Sequence, residues 1–175
     1  VTTYQTFETE RLILRPTSYE DAPFIFELLN TPGWLKYIGD RNVKSVKAAE
    51  EYIKSRIIPQ FEKLGYGNYT VIRKTDGAKI GSCGLYDREG LSVVDIGFAF
   101  LPQFGNQGYA FEAASKLKEA ASEYFGLQQI CAITTKDNLA SQKLLEKLGL
   151  RYNGTVTLPS DEEQLLLYQS GLNHI

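Results

Sequence analysis

The stretch DIGFAFLPQFGNQGYAFEA, Asp95 to Ala113, decides how this chain folds. Its first half is an apolar, aromatic-rich run with the composition of a strand, and Pro102 stops it. Gly105, Asn106 and Gly108 then turn the chain, and from Ala110 the pattern becomes helical. Ala110, Phe111, Ala113, Ala114, Leu117, Ala120, Ala121, Tyr124 and Phe125 recur at i, i+3, i+4 and i+7, the strongest periodic signal in the sequence. Gly126 suits a helix stop, and QQICAITT, 128–135, reads as a buried strand. Strand 91–101, helix 107–125 and strand 129–134 therefore make a βαβ unit, with parallel strands and a right-handed crossover. A ligand of such a unit sits beyond the carboxyl end of the first strand, at the helix N-terminus, where FGNQGYAFEA falls. A helix start offers unpaired N–H groups and about half a positive charge. Glycines let an anion approach the backbone. The stretch can cradle a phosphate or pyrophosphate on main-chain amides; alternatively, Asn106 caps the helix and the glycines only serve the turn. It lacks the Gly-Lys-Ser/Thr of a Walker loop, and the elements before it do not match a dinucleotide-binding half.

Working outward, RLILR (11–15) reads as a first strand and SYED (18–21) as the start of a helix reaching Leu29. NTPGWLKYIGD (30–40) reads as a turn-rich aromatic link. Ser45 can cap VKAAEEYIKSRII, a helix that Pro59 bends or ends. NYTVIRK, KIGSCGLY and LSVVDIGFAFLP follow as an antiparallel meander, the last of them the longest strand, Leu91 to Pro102. DNLASQKLLEKLG is a capped helix with Gly149 as its stop, and YNGTVTL and EQLLLYQ are two final strands. No repeat or linker divides residues 1–175, so the chain reads as one α/β domain with a mostly antiparallel sheet.

The chain has 175 residues, 43% apolar and 12% aromatic, enough for one sizeable core. A net charge of −2 carries no basic footprint for nucleic acid. Cys83 and Cys131 fall inside strand-like runs and read as buried thiols. The one histidine, His174, stands next to the last residue in what reads as a frayed tail, which argues against Ser-His-Asp, Cys-His and His-metal chemistry. No metal is expected. VTTYQTFETERLILRP has no apolar signal core and no run reaches membrane-spanning length, so a cytoplasmic protein without a membrane partner is expected.

With these pieces assembled, the chain resembles the GNAT superfamily of acyl-CoA-dependent N-acetyltransferases, and within it the Rim-type branch of ribosomal-protein N-terminal acetyltransferases. ETERLILRPTSYEDA, DIGFAFLPQFGNQGYAFEA, TTKDNLASQKLLEKLGLRYNG and EQLLLYQ carry the likeness, over about residues 8–170. The resemblance implies a GNAT-like α/β (α+β) fold: about seven strands, mostly antiparallel, four helices, and a splayed central parallel pair. It implies acetyl-CoA as cosubstrate, its pyrophosphate held by the backbone of Gly105, Asn106, Gln107, Gly108, Tyr109 and Ala110. Gly105 and Asn106 stand where this branch often has Trp and Gly. The pantetheine arm is expected to pair with the backbone of Phe98, Phe100 and Leu101, with Gly97 helping the strand bulge. Asn138 matches the family's pantetheine-binding Asn, with helix capping as its alternative role. Ser141 matches a Ser beside the thioester sulfur.

Asp95 matches an acidic position suited to a general base acting through water, because an ammonium must lose a proton before it can attack. Ser141 is the candidate general acid, with Tyr152 second. Trp34, Tyr37 and Tyr66 are candidates for the acceptor pocket, or for the core. Glu112 reads as a solvated or loop-tying acid, and Lys143 and Lys147 as a solvated face within reach of a coenzyme phosphate. The expected activity is acetyl transfer from acetyl-CoA to a primary amine, a protein N-terminus or a small molecule, by a monomer or homodimer. The alternative is a coenzyme A-binding regulatory domain with weak or no catalysis.

Overall fold

The computed structural model describes residues 4–171; His174 lies outside them. The described residues form one mixed sheet of eight strands which, numbered along the chain, lie in the order β1-β2-β3-β4-β5-β6-β8-β7. Strands β1 (Phe7–Glu8) and β2 (Leu12–Pro16) form a short hairpin at one edge. The antiparallel ladder continues through β3 (Asn68–Arg73), β4 (Lys79–Tyr86) and β5 (Asp95–Phe100). β5 then runs parallel to β6 (Gln129–Thr134). The last strand, β8 (Leu165–Gly171), inserts antiparallel between β6 and β7 (Arg151–Val156). The strand read as Leu91–Pro102 is shorter than expected at its start: β4 ends at Tyr86, so residues 91–94 have no partner strand on that side.

Alternation along the strands gives the sheet two unlike faces. On one face lie Leu14, Tyr69, Val71, Cys83, Ile96, Phe98 and Phe100, as the cross-strand partners show. Helix α5 (Tyr109–Glu123) packs against β2, β4 and β5. Just past its end, Tyr124 and Phe125 meet the Phe7 ring edge-on, and Phe7 meets Tyr69 in the same way. Both cysteines are buried as free thiols, and burial pushes each up to about 12.

The other face carries Asn68, Thr70, Ser82, Gly84, Tyr86, Asp95 and Gly97. The helices α1 (Ala22–Leu29), α2 (Pro32–Tyr37), α3 (Val46–Tyr52) and α4 (Ile58–Leu64) lie between β2 and β3 in sequence. Thr70 of this face bonds Asp21, just ahead of α1, and Gln60 of α4 bonds the Leu85 carbonyl, while Phe61 of α4 meets Tyr69 of the opposite face at 5.3 Å. Two readings change here. The aromatic link holds helix α2, because the Thr31 hydroxyl accepts the Trp34 N–H at 3.3 Å and Pro32 starts the turn. Pro59 does not end its helix. A π-turn over Ile53–Ile57 joins α3 to α4, and the helix stops only at Gly65, φ +82°. An i→i−5 turn just ahead of the proline fits its missing N–H and its ring into a continuous helix. Helix α6 (Leu139–Lys147) follows β6 and packs on it and on α5.

Candidate active site

β4 and β5 pair at six positions, but β5 and β6 pair only at Asp95 and Cys131, where the Cys131 N–H donates to the Val94 carbonyl at 2.9 Å. Beyond that point the parallel strands part. Peptide groups alternate sides along a strand, and the Leu101 N–H donates to Ile80 on the β4 side at 2.9 Å. The backbone groups of Phe98 and Phe100 therefore face the gap, whereas the N–H of Leu101 is already used. A groove of about 1550 Å³ passes through this split. It reaches both faces of the sheet, touching Phe98 and Phe100 as well as Asp95 and Gly97. Gly97 makes no bulge, since the β4–β5 register is unbroken; its missing side chain instead leaves room for the Tyr86 ring.

The loop at the end of β5 explains its own sequence. Pro102–Phe104 form a 3-10 turn, and Gly105 follows with an ordinary φ of −70°. The left-handed positions are Asn106, φ +59°, and Gly108, φ +82°, the N-cap of α5. Asn tolerates this region better than other residues with side chains. Asn106 thus supplies the left-handed conformation in this loop, and Gly105 is not used for it. Gly105, Asn106, Gly108, Tyr109 and Ala110 line the groove; Gln107 does not. Arg11 braces the loop from the β1–β2 hairpin: it donates to the Gln107 carbonyl at 3.0 Å, stacks 4.3 Å from the Tyr109 ring centre and pairs with Glu112 at 2.7 Å. Glu112 also accepts the Thr9 hydroxyl and the Arg11 backbone N–H, so it ties the loop. Burial would raise its carboxyl, but these hydrogen bonds and the Arg11 charge hold it below the usual range.

On the far side of the split, Thr134, Asn138, Ser141, Lys143 and Lys147 line the groove. Asn138 caps α6, its Oδ1 accepting the Ser141 N–H at 3.2 Å; its Nδ2 has no partner among the described residues. Lys147 lies 4.0 Å from the Phe111 ring centre. The Thr134 hydroxyl is buried with no hydrogen-bond partner, an orphan donor at the opening of the strands.

Asp95 lies at the groove's floor, 1% exposed. Arg88 grips it with two hydrogen bonds, Nε to Oδ1 at 3.1 Å and Nη2 to Oδ2 at 3.2 Å. Burial lifts the carboxyl above the ordinary aspartate value, and Arg88 pulls part of that back. Trp34 and Tyr37 line the same half of the groove, and the Trp34 indole N–H is buried without a partner. Tyr66 is not at the site; it is 8% exposed and packs on Phe125 at 5.1 Å. Tyr152 is 58% exposed on β7 and does not line the groove.

Arg88, Tyr86, Arg11 and Thr134 escaped sequence reasoning. DREG looked like a turn and nothing more, although register from Gly84–Gly97 would have set Tyr86 opposite Asp95. The Arg11 brace depends on a contact 96 residues away in sequence, which no local pattern announces.

Comparison with known proteins fits this geometry. Residues 11–151 match the family described as acetyltransferase (GNAT) domain. The uncharacterized N-acetyltransferase YoaA of Bacillus subtilis is 29% identical over 94% of this chain and 89% of its own length. An acetyltransferase from Agrobacterium tumefaciens superposes with a TM-score of 0.81 at 22% identity, covering 97% of this chain and 96% of that one. The ribosomal L7/L12 alpha-N-protein acetyltransferase RimL, solved in complex with coenzyme A, gives 0.80 at 17% identity, covering 95% and 98%. General members of the fold and a ribosomal-protein enzyme match equally well, so the likeness does not single out the Rim-type branch.

Proposed function

The chain belongs to the GNAT acetyltransferases, and from that premise we propose that it moves an acetyl group from acetyl-CoA to a primary amine by direct attack, without a covalent enzyme intermediate. The observation that carries this reading is the split between β5 and β6, with unpaired backbone at Phe98 and Phe100 opening onto a left-handed loop at a helix N-terminus. A peptide-like arm can add to such an edge as a strand would. An anion suits the amides between Asn106 and Ala110, and Lys143 and Lys147 stand by as phosphate partners. The orphan Thr134 hydroxyl and the free Nδ2 of Asn138 are donors waiting on the same channel.

Acetyl-CoA supplies an activated acyl carbon and a thiol leaving group. The protein's part is to position the amine, take its proton and stabilise charge. Asp95 is the proton acceptor in this reading. Its raised basicity suits the role, and Arg88 keeps the carboxylate ionised and fixed. Arg88 uses one acceptor site on each oxygen and leaves the others, and a water bound there relays the proton. The N–H of Phe98 or Phe100 faces the gap and can stabilise a developing oxyanion. The Ser141 hydroxyl, lining the groove, donates a hydrogen bond to the departing sulfur as its general acid, and the proton taken from the amine ends on the thiol, so that Ser141 is left as a hydroxyl.

An acceptor screen tests the reading: acetyl-CoA with peptides, polyamines, amino sugars and other small amines, scored by release of free thiol. Transfer to at least one amine is expected, with Asp95→Ala lowering kcat at least tenfold and leaving coenzyme A affinity within a few-fold. Coenzyme A binding without transfer to any amine would favour a binding domain instead, and no heat with coenzyme A would reject both.

A further inference from the structure

Tyr86 is the side chain on the acceptor floor for which the mechanism has no use. Gly84 and Gly97 face one another across β4 and β5, and the Tyr86 ring lies flat over both. A Cβ at Gly84 would sit 2.4 Å from both Cζ and the hydroxyl, and one at Gly97 would sit 3.0 Å from Cε2. Glycine inside a strand weakens it. Two of them here seat one tyrosine, whose outer surface, with Asn68, Ser82 and Asp95, lines the groove.

The direction of the Tyr86 hydroxyl proton follows from a chain of hydrogen bonds through the sheet. The chain begins at Asp21, fully buried and ionised between Arg15 and Lys79, each at 2.7 Å. A carboxylate only accepts, so Thr70 donates to it, at 3.0 Å. Thr70 has one proton, so it must accept from Thr17, 2.9 Å away. Thr17 has then spent its proton, and it accepts from Asn68 Nδ2 at 2.9 Å. That fixes the Asn68 amide with Oδ1 turned to Ser82, at 2.7 Å, and to Tyr86. Both hydroxyls donate to it. The Tyr86 proton is therefore committed away from the groove, and only oxygen lone pairs are left to face it.

Taking the acetyltransferase reading as its basis, we infer that Tyr86 is the acceptor-binding residue that receives an N–H of the incoming amine, holding it on the floor beside Asp95. A hydroxyl locked as an acceptor selects for a group that donates. A primary ammonium has three N–H bonds, so one can bond to Tyr86 while another loses its proton through the water on Asp95. A cation of equal charge that lacks N–H gains nothing from this oxygen.

Three measurements test the assignment on the full chain. First, coenzyme A binding by calorimetry is compared for the parent and Tyr86→Phe. The two should agree within twofold, with little change in Tm, because Asn68 Oδ1 keeps Ser82 as a donor. Second, the protein carrying 13Cζ-tyrosine and saturated with coenzyme A is titrated with n-butylamine and, separately, with butyltrimethylammonium. The resonance missing from the Tyr86→Phe spectrum should move with the first and stay with the second. For an amine found in the acceptor screen, Tyr86→Phe should raise KM about tenfold, the loss of one hydrogen bond, and leave kcat within threefold. No heat with coenzyme A in the parent sinks the acetyltransferase reading, and this inference with it. Coenzyme A binding with an unmoved Tyr86 resonance, equal movement with both cations, or an unchanged KM overturns the inference alone.

Discussion

Arg88→Ala is expected to turn the floor of the groove into a defect whose size depends on pH. The substitution removes both hydrogen bonds to Asp95, leaving a carboxylate that is 2% exposed with no cation beside it. Breaking a buried pair by deleting one partner costs about 3–5 kcal/mol. The Arg88 side chain is 32% exposed, so water enters where it stood, and a loss of about 3 kcal/mol at neutral pH is the better figure. Asp95→Asn should cost less, because the stranded guanidinium keeps its solvent, and the double variant should cost less than the sum of the singles. The pH dependence identifies the cause. In Arg88→Ala burial still acts on Asp95 and the lowering effect of Arg88 is gone, so its folded pKa rises further above the unfolded value near 3.9. The native state then binds the extra proton between those two values. The variant's deficit is thus present in full above the folded pKa and shrinks as pH falls toward the unfolded one. Urea unfolding of parent, both singles and the double at pH 7.5 and 5 measures all of this. A deficit in Arg88→Ala below about 1 kcal/mol, or one that does not shrink at pH 5, would refute the claim that Arg88 neutralises a desolvated Asp95.

Three further outcomes follow from the same geometry. Gly108→Val should weaken coenzyme A binding at least tenfold in calorimetry, because a β-branched residue at φ +82° distorts the helix start; unchanged affinity would reject the backbone cradle. Asn106→Gly should leave Tm and coenzyme A affinity near the parent values, whereas Asn106→Val should cost about 1–2 kcal/mol in chemical unfolding, since only the former accepts φ +59°. Asp21→Asn should destabilise the protein by about 3 kcal/mol at pH 7. Burial acts to raise the Asp21 carboxyl, but Arg15 and Lys79 hold it below its ordinary value, so the parent's advantage is present above pH 4 and is lost on acidification through the folded pKa, as paired unfolding curves can follow.

What could be read from the sequence was whatever local physics determines. The βαβ unit was legible because strand, glycine turn and amphipathic helix each carry their own periodicity, and α5 runs Tyr109–Glu123 much as its apolar stripe predicts. The stop of that helix shortly before Gly126, φ +68°, was legible for the same reason. The oddity at Gly105 and Asn106 was legible as a departure from pattern, but its resolution needed dihedral angles: composition cannot say which of two adjacent residues carries the positive φ. The π-turn before Pro59 was hidden because its cause is continuity of burial along the helix, with Ala49, Ile53, Ile57 and Phe61 all buried. Propensity alone reads a proline as a bend or a stop. The Arg88–Asp95 pair and the Asp21 chain were invisible, since each joins residues that only the sheet brings together.

The two unlike faces of β5 indicate why a strand, rather than a loop, carries this site. Even-numbered residues from Ile96 to Phe100 turn their side chains to the α5 core and their peptide groups to the split. Odd-numbered residues turn Asp95 and Gly97 to the polar floor and their peptide groups to β4. One extended segment thus holds an unpaired backbone edge at Phe98 and a buried carboxylate at Asp95 about 10 Å apart along the strand, with β4 fixing both in register. Sliding β5 by one residue would exchange the faces, burying Phe98 in the polar floor and turning Asp95 to the apolar core. The Arg88 grip on Asp95 and the Tyr86 ring over Gly97 resist that slip, because both join the end of β4 to β5 only in the native register, while the buried hydrogen-bond chain from Asp21 through Asn68 fixes β3 against β4. The polar network on the acceptor floor therefore does two jobs with the same bonds. It orients Tyr86, and it holds β3 and β4 in the alignment on which Tyr86 and Gly84 meet β5.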